Sequence, residues 1–192
     1  MGIKKILSFI IVVFVHIIFI CCLIFSFYEV QNSANKIKEI YTYSGLFGLY
    51  FFASSLSFAM LNRIRAIFNL FQVIPKICGN YALIFITLHF LNFIILDSKL
   101  SPGFILKEIA LKSFLLLGFS GFIVMIFIFF ASLKKQSRAF LITRNLGYIG
   151  LLLASLHYFY AQKVALLPQY FMLIFSIILL LVRAFFLLKN KS

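Results

Sequence analysis

The chain has 192 residues, of which 64% are hydrophobic and 27 are Phe, and its mean hydropathy is +1.13. One water-soluble domain of this size cannot bury so much apolar surface, so the composition excludes a soluble protein and indicates an integral membrane protein. The formal net charge of +14 would suggest nucleic-acid binding in a soluble protein, but its distribution along the chain leads to a different interpretation.

Six apolar runs are long enough to cross a hydrocarbon core, which takes about 20 helical residues. They lie at about 6–28, 43–61, 78–96, 113–133, 142–162 and 166–188. The first run follows Lys4-Lys5, as in a secretory signal, but it is too long for one and no A-x-A cleavage site follows, so we interpret it as a retained helix. The connections are short and polar. The sequence therefore predicts an all-α membrane protein with a single transmembrane domain over 1–192, a six-transmembrane-helix bundle.

Basic residues are distributed unevenly among the connections between these runs. With the N-terminus inside, 12 of the 18 Lys and Arg residues fall in cytoplasmic segments and the other 6 fall outside. All four acidic residues also fall outside. The positive-inside rule therefore predicts cytoplasmic N- and C-termini. The charge reflects topology in a lipid bilayer, and no nucleic-acid partner is expected.

Three histidines lie inside apolar runs, where a polar ring is a candidate functional group. His89 lies eight residues before Asp97, and His157 lies six residues before Lys163. The third and fifth runs cross in the same direction, so at about 1.5 Å per residue both rings are expected about 10 Å from the outer edge. His16 lies near the middle of the first run. Two imidazoles at matched depth on parallel helices can face each other across a bundle.

The spacing leaves more than one use for His89 and His157 open. A b-type haem between two histidines is the simplest, because each neutral ring donates one nitrogen to iron. A zinc site needs three or four protein ligands, and a proton relay normally uses Asp or Glu, which these runs lack. The alternative is two unrelated histidines, each hydrogen-bonded to a backbone carbonyl. His16 has no fourth histidine to pair with, so we expect a hydrogen-bonded core histidine or a quinone contact.

Two basic residues lie thirteen positions before these histidines, Arg144 before His157 and Lys76 before His89. Membrane bundles with two stacked haems place ligands about thirteen residues apart on one helix, some 20 Å along its axis. Neither position holds a histidine, so no inner haem is expected there. Arg144 is interpreted either as a cytoplasmic anchor or as a phosphate contact for an anionic cofactor. The companions expected for a phosphate contact are Arg63, Arg65, Lys76 and Arg138.

Four segments in order resemble the ferric-reductase-like transmembrane family over residues 44–163. They are "SGLFGLYFFASSLSFAM" from Ser44, "GNYALIFITLHFLNF" from Gly79, "ILKEIALKSFLLLG" from Ile105 and "FLITRNLGYIGLLLASLHYFYAQK" from Phe140. The match places His89 and His157 on two haem histidines of the family and Tyr148 on its tyrosine. The chain departs from the pattern at Arg144, where the family has a further histidine, at Lys76, where it has an arginine, and at Phe140, where it has a tryptophan.

The resemblance implies an electron-transfer subunit of an oxidoreductase system in the bacterial inner membrane, with one haem b on His89 and His157 and one FMN. Its electrons would come from the quinone pool or a cytoplasmic flavin reductase. They would go to a periplasmic molybdoenzyme that reduces methionine sulfoxide in oxidised periplasmic proteins. A flavin phosphate near Arg144 and Lys76 would take the place of the missing inner haem.

Other functions remain open from the sequence. A stand-alone ferric or cupric reductase, or another quinone-linked carrier with haem b, would share the iron ligands. A membrane scaffold or transporter without haem would make the histidines incidental. The three prolines, Pro75, Pro102 and Pro168, lie at loops or helix ends, unlike the interrupted helices of many transporters. No Gly-rich nucleotide motif and no catalytic residue is identified.

Overall fold

The structure, a computed structural model, describes residues 3–64, 73–133 and 138–189. Within these ranges the chain is almost entirely helical, and no β-strand occurs. The helices are α1 (Ile3–Asn32), α2 (Lys36–Ile64), α3 (Ile74–Asn92), α4 (Pro102–Leu111), α5 (Ser113–Leu133), α6 (Arg138–Tyr160) and α7 (Leu167–Lys189). A π-helical turn, Phe93–Asp97, continues α3.

The six predicted runs correspond to α1, α2, α3, α5, α6 and α7. The helix α4 was not predicted, because ten residues are too few to cross a membrane and the segment was assigned to a connection. Pro102 supplies the fixed φ that suits a first helical position. The Lys112 ammonium forms an ion pair with the Glu108 carboxylate one turn earlier. The described chain therefore has a short helix between the third and fourth predicted spans.

Five of the described helices are long and apolar enough to span a membrane. The corresponding segments are Ile6–Asn32, Lys36–Asn62, Ile74–Asp97, Ser113–Leu133 and Leu167–Lys189. Their exposed faces carry large apolar side chains such as Phe9, Phe14 and Phe171, as expected for surfaces in contact with lipid. These features describe a multi-pass membrane protein. The remaining predicted span, the fifth run on α6, and the cytoplasmic location of both termini stay predictions.

The chain divides into two compact units, Met1–Lys99 and Leu100–Ser192. In the first unit α2 and α3 pack together most extensively, and α1 contacts both. In the second unit α6 packs against α5 and α7, and α5 also contacts α4. The single transmembrane domain predicted over 1–192 stays a prediction.

Aromatic side chains form much of the interior of the first unit. Phe19 of α1 stacks on Tyr81 of α3 with ring centroids 3.8 Å apart. Phe51 of α2 stacks on Phe85 of α3 at 5.9 Å, and both rings are buried. Lipid tails are as apolar as Phe, so association in a membrane depends on such close packing rather than on the hydrophobic effect. The Phe-rich composition thus contributes directly to the packing of α1, α2 and α3.

A tight turn between α3 and α4 contains two residues with left-handed backbone. Lys99 has φ 47° and Leu100 has φ 61°, a region in which a side chain with a Cβ is strained. The strain amounts to about 1–2 kcal/mol for an ordinary residue. Asn tolerates this conformation better than Leu, because its short amide can hydrogen-bond to the local backbone.

We expect Leu100→Asn to stabilise the purified protein relative to Leu106→Asn by about 1 kcal/mol, because only the first substitution relieves left-handed strain. Leu106 is the matched control, since Leu100 and Leu106 are 67% and 68% exposed and Leu106 lies within α4. The measurement is the free energy of unfolding by SDS in mixed micelles, followed by circular dichroism. Equal free energies for the two variants would show that the turn stores no strain at Leu100.

Candidate functional site

His89 lies in the last turn of α3, three residues before the helix ends at Asn92. Its Nδ1 lies 3.1 Å from the main-chain oxygen of Tyr41 in α2 and 3.3 Å from Oγ of Ser44. The Ser44 hydroxyl donates to the main-chain oxygen of Ile40, so its oxygen can accept from the imidazole. The Tyr41 ring meets the His89 ring edge-on, with centroids 5.6 Å apart. The half-buried imidazole is thus held by one face of α2.

His157 lies in the last turn of α6, three residues before the helix ends at Tyr160. Its Nδ1 lies 2.7 Å from the main-chain oxygen of Phe114 in α5. The Phe114 ring lies nearly parallel to the imidazole, at 26° with centroids 6.0 Å apart. The second unit therefore holds His157 in the way that the first holds His89, through a carbonyl oxygen of the preceding spanning helix.

The carbonyl partners determine the chemistry available to both rings. A carbonyl oxygen only accepts, so Nδ1 must carry the proton, and a neutral imidazole of this tautomer has its lone pair on Nε2. Metal-bound histidines commonly donate their other N–H to a backbone carbonyl, which fixes the ring and strengthens the ligand. His157 also lies at the C-terminus of α6, whose partial negative charge favours a nearby cation, whereas the helix that carries His89 continues through the π-helical turn to Asp97. His89 and His157 are therefore suited to coordinate a metal through Nε2.

His16 has a different environment from the other two histidines. Its Nδ1 is hydrogen-bonded to the Tyr81 hydroxyl, and the two rings meet edge-on with centroids 5.7 Å apart. The imidazole is exposed on α1 rather than buried in the core. The sequence prediction of a hydrogen-bonded His16 is thus confirmed, but its placement in the core was wrong, because α1 contributes few buried side chains.

The structure describes the side chain of Lys76 but not that of Arg144, the two predicted phosphate contacts. Lys76 is exposed in the first turn of α3. Arg144 belongs to α6, but its side chain lies outside the described part of the structure. Arg65 lies outside the described residues, and so do the side chains of Arg63 and Arg138. Among the residues that are described, no group of three or more His, Cys, Asp or Glu side chains could hold a metal ion by itself.

Sequence reasoning missed a polar cluster in the second unit. Arg183 of α7 was counted among the cytoplasmic basic residues, yet it is only 5% exposed. Its Nε donates to Oδ1 of Asn145 at 3.0 Å, and Nη2 donates to the same oxygen. Its guanidinium carbon lies 5.7 Å from the centroid of the buried Tyr148 ring. The sequence signals for this cluster were two polar residues inside predicted spans, Asn145 in the run 142–162 and Arg183 in the run 166–188.

We expect Asn145→Leu to destabilise the protein by about 2 kcal/mol, because a buried guanidinium then loses an acceptor. The double variant Asn145→Leu/Arg183→Met should recover most of that loss, because it removes the buried charge as well. The measurement is the free energy of unfolding by SDS for Asn145→Leu, for Arg183→Met and for the double variant. Additive losses in the three variants would contradict a direct interaction between Asn145 and Arg183.

Comparison with known proteins gives two relatives of the same kind. The chain is 29% identical over 96 residues to the protein-methionine-sulfoxide reductase heme-binding subunit MsrQ of Ralstonia nicotianae, and equally to that of Herminiimonas arsenicoxydans. The match covers 50% of this chain and 44% of each relative, so the chain spans less than half the length of these relatives. No family model and no solved structure matches the chain.

Proposed function

We propose that the chain is a membrane electron-transfer subunit that binds one haem b through His89 and His157. In this proposal it passes electrons from the quinone pool or a flavin donor to an MsrP-like methionine-sulfoxide reductase in the bacterial periplasm. The observation that carries the proposal is the matching local environment of the two imidazoles, each within its own unit. Each donates Nδ1–H to a main-chain carbonyl of a neighbouring helix and carries its lone pair on Nε2.

A carbonyl bond alone would also satisfy a purely structural histidine. Two further observations favour ligands. First, the same arrangement occurs twice, each time on a long helix that packs closely against the spanning helix before it. Second, the relatives are named as heme-binding subunits of a methionine-sulfoxide reductase. Two unrelated histidines with only structural roles would not require either feature.

A bound haem would supply one-electron chemistry, and the chain would supply its ligands and its environment. His89 and His157 would hold the iron of a bound haem, and a haem held by two histidines favours electron transfer over oxygen binding. The carbonyl bonds of His89 and His157 hold both rings in the tautomer that coordinates through Nε2. The proton stays on each Nδ1, donated in a hydrogen bond to the main-chain carbonyl, and takes no part in the transfer.

The proposal includes an FMN whose phosphate is bound by Lys76 and Arg144. Lys76 supports this assignment by its exposure in the first turn of α3, where helix N–H groups favour an anion. Arg144 contributes the second positive charge in the sequence-based assignment. Arginine and lysine are the side chains that most often bind phosphate in proteins.

We expect His89→Ala and His157→Ala each to abolish the low-spin haem b spectrum, because either change removes an axial ligand. His16→Ala is the matched control and should keep about one haem per chain, since His16 is bonded to Tyr81. The measurement is a reduced-minus-oxidised absorption spectrum with pyridine haemochrome quantitation after expression with ample haem.

Folding defects are separated from ligand loss by adding imidazole to His89→Gly and His157→Gly, which should restore the low-spin spectrum in a folded protein. A wild-type protein without haem, or a full haem content in both alanine variants, would refute the proposed function.

We expect Lys76→Ala/Arg144→Ala to weaken FMN binding at least about tenfold, because each charge-assisted bond to phosphate contributes about 1.5–3 kcal/mol. Lys36→Ala/Lys38→Ala is the control, since both lysines are exposed at the start of α2. The measurement is FMN released per chain on denaturation, determined by fluorescence. An unchanged flavin content in the first double variant would remove the flavin assignment and leave the haem assignment intact.

A further inference from the structure

Both candidate ligand rings lie directly against a glycine of the preceding spanning helix. A methyl group on Gly45 of α2 would lie 3.0 Å from both Nδ1 and Cε1 of His89. A methyl group on Gly118 of α5 would lie 2.8 Å from Nδ1 of His157 and 3.0 Å from its Cε1 and Cγ. Real Cβ atoms essentially never approach within 3.0 Å of another heavy atom, so at Gly118 the ring occupies the space that a side chain would need. The 3.0 Å contacts at Gly45 are tighter than nine in ten real Cβ contacts, so there the ring would have to move by a few tenths of an ångström.

These glycines are placed where the carbonyl acceptors require them. In an α-helix the oxygen of residue i points toward the N–H of residue i+4, so the side chain at i+4 stands beside that oxygen. Gly45 is four residues after Tyr41, and Gly118 is four residues after Phe114. Without a side chain at i+4, an imidazole from the neighbouring helix can reach a carbonyl that is already part of the helical ladder. The absence of a side chain is therefore what makes each Nδ1 bond possible.

A second glycine follows three residues later on each helix and has a different role. A methyl group on Gly48 would lie 2.5 Å from Cγ1 of Ile86, and one on Gly121 would lie 3.4 Å from the main-chain oxygen of Gly150. Neither contact involves a histidine. These glycines allow close approach of the helices, one turn before His89 and two turns before His157. Alanine substitutions at Gly48 and Gly121 therefore change helix packing without contact with a histidine ring.

The same pattern therefore occurs once in each unit: an aromatic residue, a glycine four positions later and a second glycine after three more. It reads YTYSGLFG from Tyr41 and FLLLGFSG from Phe114. In both units the first position provides the carbonyl, the first glycine contacts the ring, and the second glycine contacts the helix that carries the histidine. The two segments have little else in common. The aromatic position and the two glycines are therefore the residues that go with the bond between imidazole and carbonyl in both units.

We propose that Gly45 and Gly118 are positioning residues that fix the planes of the two haem-ligand imidazoles by admitting each ring to a main-chain carbonyl. This inference rests on the proposed function for its haem, but the contacts between ring and glycine do not depend on it. In a haem with two axial imidazoles, the orientation of the ring planes splits the iron d orbitals and sets the g values. The strength of the Nδ1 hydrogen bond sets the reduction potential. Both glycines thus act on the iron through the histidines.

The geometry predicts unequal effects in the two units. The methyl group of Gly118→Ala would meet the bonded Nδ1 itself at 2.8 Å, and the 2.7 Å bond to Phe114 leaves the ring no room to slide along the carbonyl. The methyl group of Gly45→Ala meets His89 at 3.0 Å, and the 3.1 Å bond to Tyr41 can lengthen by a few tenths of an ångström. Gly118→Ala should therefore rotate its imidazole further than Gly45→Ala does.

The test compares five alanine variants of the full-length protein in detergent. The readouts are the electron paramagnetic resonance spectrum of the oxidised haem and the midpoint potential of the haem. We expect Gly118→Ala to shift the largest g value and the potential, with a smaller shift in Gly45→Ala. Gly48→Ala controls for packing of α2 on α3 and Gly121→Ala for packing of α5 on α6. Gly103→Ala is the general control, since nothing lies within 4 Å of its added methyl group.

The controls separate a positioning role from a structural one. Gly48→Ala should lower the melting temperature and the haem content, while the haem that remains keeps the wild-type g values. Gly121→Ala and Gly103→Ala should leave all readouts unchanged. The positioning role is overturned if Gly118→Ala binds haem with wild-type g values and potential. It is overturned equally if Gly48→Ala shifts the g values as much as Gly118→Ala does.

A second readout keeps this inference separate from the proposed function. The protein is labelled with ¹⁵N-histidine, and its Nδ1 signals are recorded in the reduced, diamagnetic state. Gly118→Ala should shift the His157 Nδ1 signal and leave the His16 signal in place, whether or not haem is bound. If the wild-type protein binds no haem but Gly118→Ala still shifts the His157 Nδ1 signal, the haem is refuted and the positioning of the ring is kept. If the wild-type protein binds haem but neither Gly118→Ala nor Gly45→Ala shifts an Nδ1 signal, the haem is kept and the positioning role is refuted.

Discussion

The structure depends on one constraint, that a polar ring within apolar helices must find its hydrogen bond inside the protein. The main chain is the only abundant source of acceptors in such a chain, and its carbonyls already serve the helical ladder. A carbonyl oxygen has a second lone pair, so a neighbouring imidazole can share it where the helix surface is open. Tyr41 and Phe114 provide such carbonyls, since glycine follows each of them by four residues. Close packing of α2 on α3 and of α5 on α6 follows from the same requirement.

Sharing a carbonyl does more than satisfy the ring. It fixes which nitrogen carries the proton, and it fixes the plane of the imidazole before any ligand binds. A ligand set held in this way loses little conformational freedom when a cofactor binds and moves little when the charge on that cofactor changes. Both properties suit a one-electron carrier. In the proposed function, the same bond would meet the physical requirement for placing a histidine in lipid and the chemical requirement for ligating iron.

The sequence predicted the features that are rare in an apolar chain and missed those that involve common residues. His89 and His157 were recognised as candidate ligands because imidazoles are scarce in such runs, and their binding of haem stays a prediction. Their partners could not, since a main-chain oxygen is present at every residue and has no sequence signature. The burial of Arg183 was not predicted, because a basic residue near the end of an apolar run usually lies at the membrane surface. Only the fold brings it to Asn145, 38 positions away in the chain.

Helix α4 escaped prediction for a similar reason, since a ten-residue amphipathic segment resembles a polar connection when membrane-crossing length is the criterion. The glycines illustrate the opposite case. Gly45 stands near the start of the quoted segment from Ser44, and Gly118 is the last residue of the quoted segment from Ile105. Their role could not be inferred without the position of the neighbouring histidine ring. Gly45 and Gly118 become informative only when His89 and His157 are seen to occupy the space beside them.

The two units solve the same problem with a difference that bears on the chemistry. Ser44 precedes Gly45, whereas Leu117 precedes Gly118. The Nδ1–H of His89 therefore points at two acceptors, the Tyr41 carbonyl at 3.1 Å and the Ser44 hydroxyl at 3.3 Å, while that of His157 meets the Phe114 carbonyl at 2.7 Å. His157 is therefore held by one short bond to a single carbonyl, whereas His89 shares its proton between two acceptors. Leu117 maintains the difference, because its side chain adds no second acceptor beside His157.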